Sequence, residues 1–84
     1  MTVEQLRGWI RAWVADVTGL PEEEVVDTKP LENFGLSSRD AVVLSGELEN
    51  LLGLQLDATV AYEYPTIAAL AERLINGPAQ TPAA

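Results

Sequence analysis

The chain has neither cysteine nor histidine among its 84 residues. That excludes disulfides, zinc centres built on thiolate or imidazole, thiol nucleophiles and any Ser-His-Asp triad. Bases are scarce too, five against 13 acids, for a net charge of -8. A surface of that sign repels phosphate backbones and anionic headgroups, so neither nucleic acid nor membrane is expected as a partner. No apolar run approaches the ~20 residues needed to span a bilayer. The N-terminus lacks the apolar stretch of a signal peptide, so a cytoplasmic location is expected. A chain this short forms one small domain, and a core of that size seldom encloses a catalytic cleft as well. Carboxylates remain for chemistry, but the spacing brings no Asp/Glu pair into a shared pocket and gathers no metal ligands. Binding or carrying is the expected role, and not catalysis.

What charge there is sits in the middle. Residues 20–63 hold ten acids (Glu22, Glu23, Glu24, Asp27, Glu32, Asp40, Glu47, Glu49, Asp57 and Glu63) against Lys29 and Arg39, while both flanks are neutral. Such a stretch serves either as a solvated surface that keeps the domain soluble or as a docking face for basic partners.

Four segments carry helical periodicity. Val3, Leu6, Ile10, Trp13, Val14 and Val17 form one stripe, predicting a helix over 3–17. Thr2 and Gln5 fit a capping box, Met1 is placed to staple against Leu6, and Gly19 with Pro21 stops the helix. Gly8 falls on its far side, where it costs about 1 kcal/mol against alanine. Residues 20–37 make a long connection whose Val25, Val26, Leu31, Phe34 and Leu36 are expected to pack back onto the helices. A second helix is predicted over 38–52, ended by Gly53, with Ala41, Leu44, Ser45, Leu48, Leu51 and Leu52 buried and Arg39, Val42, Val43, Gly46 and Asn50 facing away. A short third helix is expected over 58–62 behind an Asp57 cap. A fourth is expected over 67–75, with Ile67, Leu70, Ala71 and Leu74 inward and Asn76-Gly77 as its stop. Residues 77–84 read as a Pro/Ala-rich linker or tail. The expected fold is all-α, a four-helix bundle over residues 1–76 with a long first loop and a short third helix.

Ser37 and Ser38 open the second helix after Phe34-Gly35-Leu36. The plain reading is a cap: Ser37 with Asp40 three residues on completes a capping box. One serine suffices for that. Ser38 then lies in the first turn, where a phosphate on its hydroxyl would meet free backbone N–H groups, the positive end of the helix dipole and the neighbouring Arg39.

Phe34-Gly35-Leu36-Ser37-Ser38 followed by this helix resembles the prosthetic-group motif of acyl carrier proteins, usually Gly-hydrophobic-Asp-Ser-Leu. Tyr62-Glu63-Tyr64-Pro65-Thr66-Ile67 with Leu70-Ala71 is similar to that family's signature before the last helix, at matching separation. The pair resembles carrier domains of actinobacterial type I polyketide synthases, and the Gly-Leu-Ser-Ser-Arg-Asp-Ala-Val run resembles examples that work with fatty acyl-AMP ligases. The resemblance implies that Ser38 bears a covalent 4'-phosphopantetheine taken from coenzyme A by a phosphopantetheinyl transferase. It implies further that the arm's thiol carries acyl groups as thioesters between synthase active sites. An acyl-AMP ligase or acyltransferase, a ketosynthase and other synthase domains are the partners it implies, with a monomeric carrier. Ser37 stands where the family has aspartate and Arg39 where it has leucine. Docking is expected around Arg39, Asp40, Val42, Val43, Gly46, Glu47, Glu49 and Glu63. Two other readings stay open: a peptidyl carrier of a nonribosomal peptide synthetase, and an unmodified acidic helical module for protein binding.

Overall fold

A computed structural model describes residues 1–57 and 60–76, and within them the chain is all-helical. Helix α1 spans Val3–Thr18, α2 Ser38–Leu52, α3 Val60–Glu63 and α4 Ile67–Asn76, with single 3-10 turns at Glu22–Glu24 and Leu31–Phe34.

Helix α1 begins where the sequence places it. The Gln5 N–H donates to Thr2 Oγ1 at 3.1 Å, and the Thr2 N–H donates back to Gln5 Oε1 at 2.9 Å. It ends at Gly19, whose φ of 79° lets its N–H turn back to the Ala15 carbonyl. Leu6, Ile10 and Val14, spaced by four, are fully buried, and α1 packs chiefly on α4. From α4, Ile67, Leu70, Ala71 and Leu74 complete the contact, all buried as expected. Leu44 and Leu48 of α2, Val60 and Ala61 of α3, and Val25, Leu31 and Phe34 of the long connection close the core.

The connection is tied down at both ends. The Leu31 N–H donates to the Pro65 carbonyl at 2.7 Å, and the Ala68 N–H to the Asp27 carbonyl at 3.0 Å, which fastens the loop to the start of α4. Asp27 also binds α1: Arg11 Nη1 lies 2.7 Å from Asp27 Oδ1 and 2.9 Å from Oδ2. Arg7 Nε stands 3.8 Å from the same carboxylate, buried and without a hydrogen bond of its own. The hydrogen bond to Asp27 raises the Arg11 pKa above its already high ordinary value, so this guanidinium stays charged.

Several expectations need correction. Val17 and Leu51 continue the buried stripes of their helices in sequence but are exposed, each in the last turn of its helix. Val26 is exposed because Val25 fills the core position at that point of the loop. Trp13, like Trp9, is only half-buried and packs against the core from its edge. Met1 is exposed and does not staple the N-terminus. Helix α3 reaches Glu63 and α4 reaches Asn76, each one residue past expectation. The expected start of α3 at Ala58 and the tail from Gly77 lie outside the described residues.

Candidate functional site

The junction of the long connection with α2 is built residue by residue. Phe34 is buried and anchors the end of the Leu31–Phe34 turn. Gly35 follows at φ 86°, a left-handed conformation in which any side chain is strained, and reverses the chain. Leu36 is half-buried, and Ser37 and Ser38 come to the surface.

The two hydroxyls then part company. Ser37 is extended (φ -88°, ψ 172°) and caps α2. Its Oγ accepts from the Asp40 N–H at 3.2 Å and donates to Asp40 Oδ2 at 3.1 Å, and its own N–H donates to Oδ2 at 3.0 Å. The serine-aspartate capping box read from the sequence is present in full. Ser38, the first residue of α2, is exposed, and its hydroxyl makes no hydrogen bond within the described residues. The Ser38 and Arg39 amides, the first two of the helix, have no acceptor there either.

Ser38 stands on the rim of a cleft of about 400 Å³ between the long connection, α2 and α3, walled mainly by Leu31, Leu36, Ala41, Leu44 and Tyr62, with Glu32 as its one acidic lining residue. Sequence reasoning missed this cleft. Its one signal was Leu36, an apolar residue between a turn glycine and two surface serines. A phosphodiester-linked arm fits the residues present: an exposed, uncommitted hydroxyl, two free amides beside it, a neighbouring guanidinium and apolar walls below.

The expected docking residues divide into two sets. Val42 (49% exposed) and Val43 (47%) stand on the outward side of α2 with Arg39 and Gly46, and Glu47 is exposed beside them. A Cβ placed on Gly46 would meet nothing within 4 Å, so neither packing nor backbone conformation calls for glycine there. Glu63 is exposed on α3, the helix that packs on α2. Asp40 and Glu49 are half-buried and engaged within the chain. Asp40 completes the cap, and Glu49 Oε2 accepts from the Leu56 N–H at 2.7 Å, holding the segment after α2. Nothing in the spacing of Glu49 and Leu56 announces that bond.

Among the described residues no group of three potential ligands is gathered for a metal, and no helix is long and apolar enough to cross a membrane.

Comparison with known proteins agrees with this geometry. A family model described as a phosphopantetheine attachment site matches residues 8–74. Over 69 residues, 82% of the chain, the sequence is 45% identical to a component of the phenolphthiocerol/phthiocerol polyketide synthase of Mycobacterium tuberculosis. Over 67 residues, 79% of the chain, it is 40% identical to the pikromycin polyketide synthase component PikAII of Streptomyces venezuelae. The matches span only 4% and 2% of those two long proteins. Among solved structures, a free-standing peptidyl carrier protein from Acinetobacter baumannii superposes with a TM-score of 0.82 at 35% identity, covering 88% of this chain and 92% of that one. An acyl carrier protein from Anabaena sp. PCC 7120 with a variant phosphopantetheinylation-site sequence gives 0.80 at 33% identity, covering 87% and 83%.

Proposed function

The chain belongs to the phosphopantetheine-attachment family of non-catalytic carrier domains, which bear a covalent 4'-phosphopantetheine, and from that premise we propose that Ser38 is the residue that receives the arm. The observation that carries this reading is the division of labour between adjacent serines. Ser37 is fully engaged as the cap, while Ser38 is exposed and uncommitted at the lip of an apolar cleft. In the modification, Ser38 Oγ attacks the phosphorus of coenzyme A that bears the pantetheine. The bond to the departing adenosine 3',5'-bisphosphate breaks, and the hydroxyl proton passes to a base on the transferase, since this chain has no histidine to take it. The arm supplies the thiol that the chain lacks.

A polyketide synthase is the proposed setting, in the cytoplasm, with acyl and not aminoacyl cargo. The support is the 45% and 40% identity to polyketide synthase components. Besides the transferase, an acyl-AMP ligase or acyltransferase loads the arm, and a ketosynthase and other synthase domains collect from it. They dock on the outward face of α2, on Val42, Val43 and Gly46 with Arg39 at its head and Glu47 and Glu63 at its margins. Contacts among exposed charges of this kind are individually weak and release quickly, which suits a carrier that visits several enzymes.

Incubation with coenzyme A and a broad-range phosphopantetheinyl transferase, followed by intact-mass measurement, tests the assignment. Wild type is expected to gain one phosphopantetheine. Ser38→Ala is expected to fold and gain none. Ser37→Ala is expected to be modified, with a loss of about 1 kcal/mol in stability from the missing cap. An arm on Ser38→Ala places the attachment elsewhere, and bare wild-type polypeptide leaves an acidic helical module for protein binding.

A further inference from the structure

Four of the five cations have partners inside the chain. Arg7 and Arg11 face Asp27. Arg73 Nε donates to the Tyr64 hydroxyl at 3.1 Å, and Lys29 Nζ lies 5.3 Å from the centre of the Phe34 ring. Arg39 has no partner among the described residues, in a chain with 13 acids. Its place is also electrostatically poor. As the second residue of α2 it puts a positive charge against the positive end of the helix dipole, where an anion is favoured. The adjacent acid, Asp40, is already bound to Ser37. The unsatisfied Ser38 and Arg39 amides occupy the same turn. Two amides and one guanidinium without a partner among the described residues therefore lie within two residues of each other, and the one carboxylate of that turn, Asp40, is committed to the cap.

We infer that Arg39 is a positioning residue for the prosthetic arm, its guanidinium pairing with the phosphodiester on Ser38 Oγ while the first-turn amides share the same oxygens. This rests on the carrier reading above, which supplies an anion at residue 38. Arginine suits the task because its planar fork offers parallel donors to phosphate oxygens and stays charged. The pair also removes the electrostatic fault in α2, since the phosphodiester offsets both the cation and the helix dipole. Held at its root, the arm leaves the surface in a restricted direction, while its distal bonds and thiol stay free to reach a partner's active site.

The test uses the whole chain, labelled with nitrogen-15 and loaded with coenzyme A by a broad-range transferase. On loading, the Arg39 Nε–Hε resonance is expected to shift while those of Arg7, Arg11 and Arg73 hold their positions. The phosphorus-31 resonance of the phosphodiester is expected to differ between wild type and Arg39→Gln, to return most of the way in Arg39→Lys, and to lose the difference in molar salt. An Arg39 resonance unmoved by loading overturns the assignment. So does a phosphorus resonance that is the same in wild type and Arg39→Gln at low salt. The wild-type shift needs no variant, so a poorly loaded Arg39→Gln does not stall the test. Failure of the wild-type chain to gain the arm is read by mass beforehand and refutes the carrier reading itself.

Discussion

On the α1 side of the domain, Arg11 is bound twice to Asp27, whose carbonyl in turn accepts from Ala68 at the start of α4. On the outer face of α2, Arg39 meets no acid among the described residues. The same contrast runs through other residue types. Val14 is buried between helices, whereas Val42 and Val43 stand half in solvent. Gly35 occupies a left-handed turn that asks for glycine, whereas Gly46 occupies an ordinary helical position with open space around it. Ser37 is bonded through its N–H and its hydroxyl, and the Ser38 hydroxyl has no partner among the described residues. The buried stripe of α1, the Asp27 clasp, the Gly35 turn and the Ser37 cap are explained by the fold. Ser38, Arg39, Val42, Val43 and Gly46 on α2 are not, and residues the fold does not require are the ones available for function.

The sharpest way to break this contrast is to compare one leucine with one valine. Leu70 is fully buried between α4 and α1. Leu70→Ala is expected to cost about 3 kcal/mol through lost burial and a residual cavity, a large share of the stability of a domain this size. Val42→Ala is expected to stay within about 0.5 kcal/mol. Urea denaturation of both variants measures the difference. Comparable losses would mean that the outer face of α2 supports the fold after all.

Asp27→Ala comes next. It removes the carboxylate that both guanidinia face and leaves Arg7 Nε, buried and already without a hydrogen bond, dependent on Glu4, whose Oε1 lies 3.7 Å from Arg7 Nη1. The pair is partly solvated, which reduces its worth, so the expected loss is about 1–2 kcal/mol. Amide exchange should localise the loosening to residues 20–36 and the start of α4, where the Ala68–Asp27 bond is made. A uniform loss across the domain would show that the clasp acts on the whole core and not on the loop.

The glycines give effects of opposite sign. Gly35→Ala forces a side chain into φ 86° and is expected to cost about 1 kcal/mol, although no described atom beyond its own chain neighbours lies within 4 Å of the new methyl. Gly46→Ala places its methyl in open space on an interior helical turn and is expected to stabilise by up to about 1 kcal/mol. Melting curves of the two variants decide it. A destabilised Gly46→Ala would mean that the fold requires that glycine, and the outer face would lose one of its unexplained residues.

How much of this was legible in the sequence follows from the range of each interaction. Most of the helical stripes, both capping boxes and the stops at Gly19 and Gly53 depend on residues three to five apart, and they stand where the spacing put them. The Ser37–Asp40 box is local as well, which is why spacing alone assigns the cap to Ser37. The Asp27 clasp joins residues 11, 27 and 68, and the Glu49–Leu56 bond closes a loop that no periodicity reports. The cleft beside Ser38 exists only once three elements meet. Val17 and Leu51 show the same limit from the other side: a stripe says which way a residue faces and not whether anything waits there.

The smallest expected effect tests the contrast most finely. In the unmodified chain, Arg39→Gln removes a cation from the N-terminal turn of α2 and takes no partner from any described residue. The variant is therefore expected to be more stable than wild type by a few tenths of a kcal/mol at low salt, and equal to it in molar salt, where the dipole's field is screened. If Arg39 pairs with the phosphodiester as proposed, the same substitution in the arm-bearing chain removes an attraction instead of a repulsion. The stability difference should then shrink to nothing or change sign. Paired denaturation curves of apo and loaded protein, each at low and high salt, read the change without a partner enzyme. A wild type already more stable than Arg39→Gln before loading would mean that Arg39 has an intramolecular role, and the two sides of the molecule would no longer differ in how they treat their arginines.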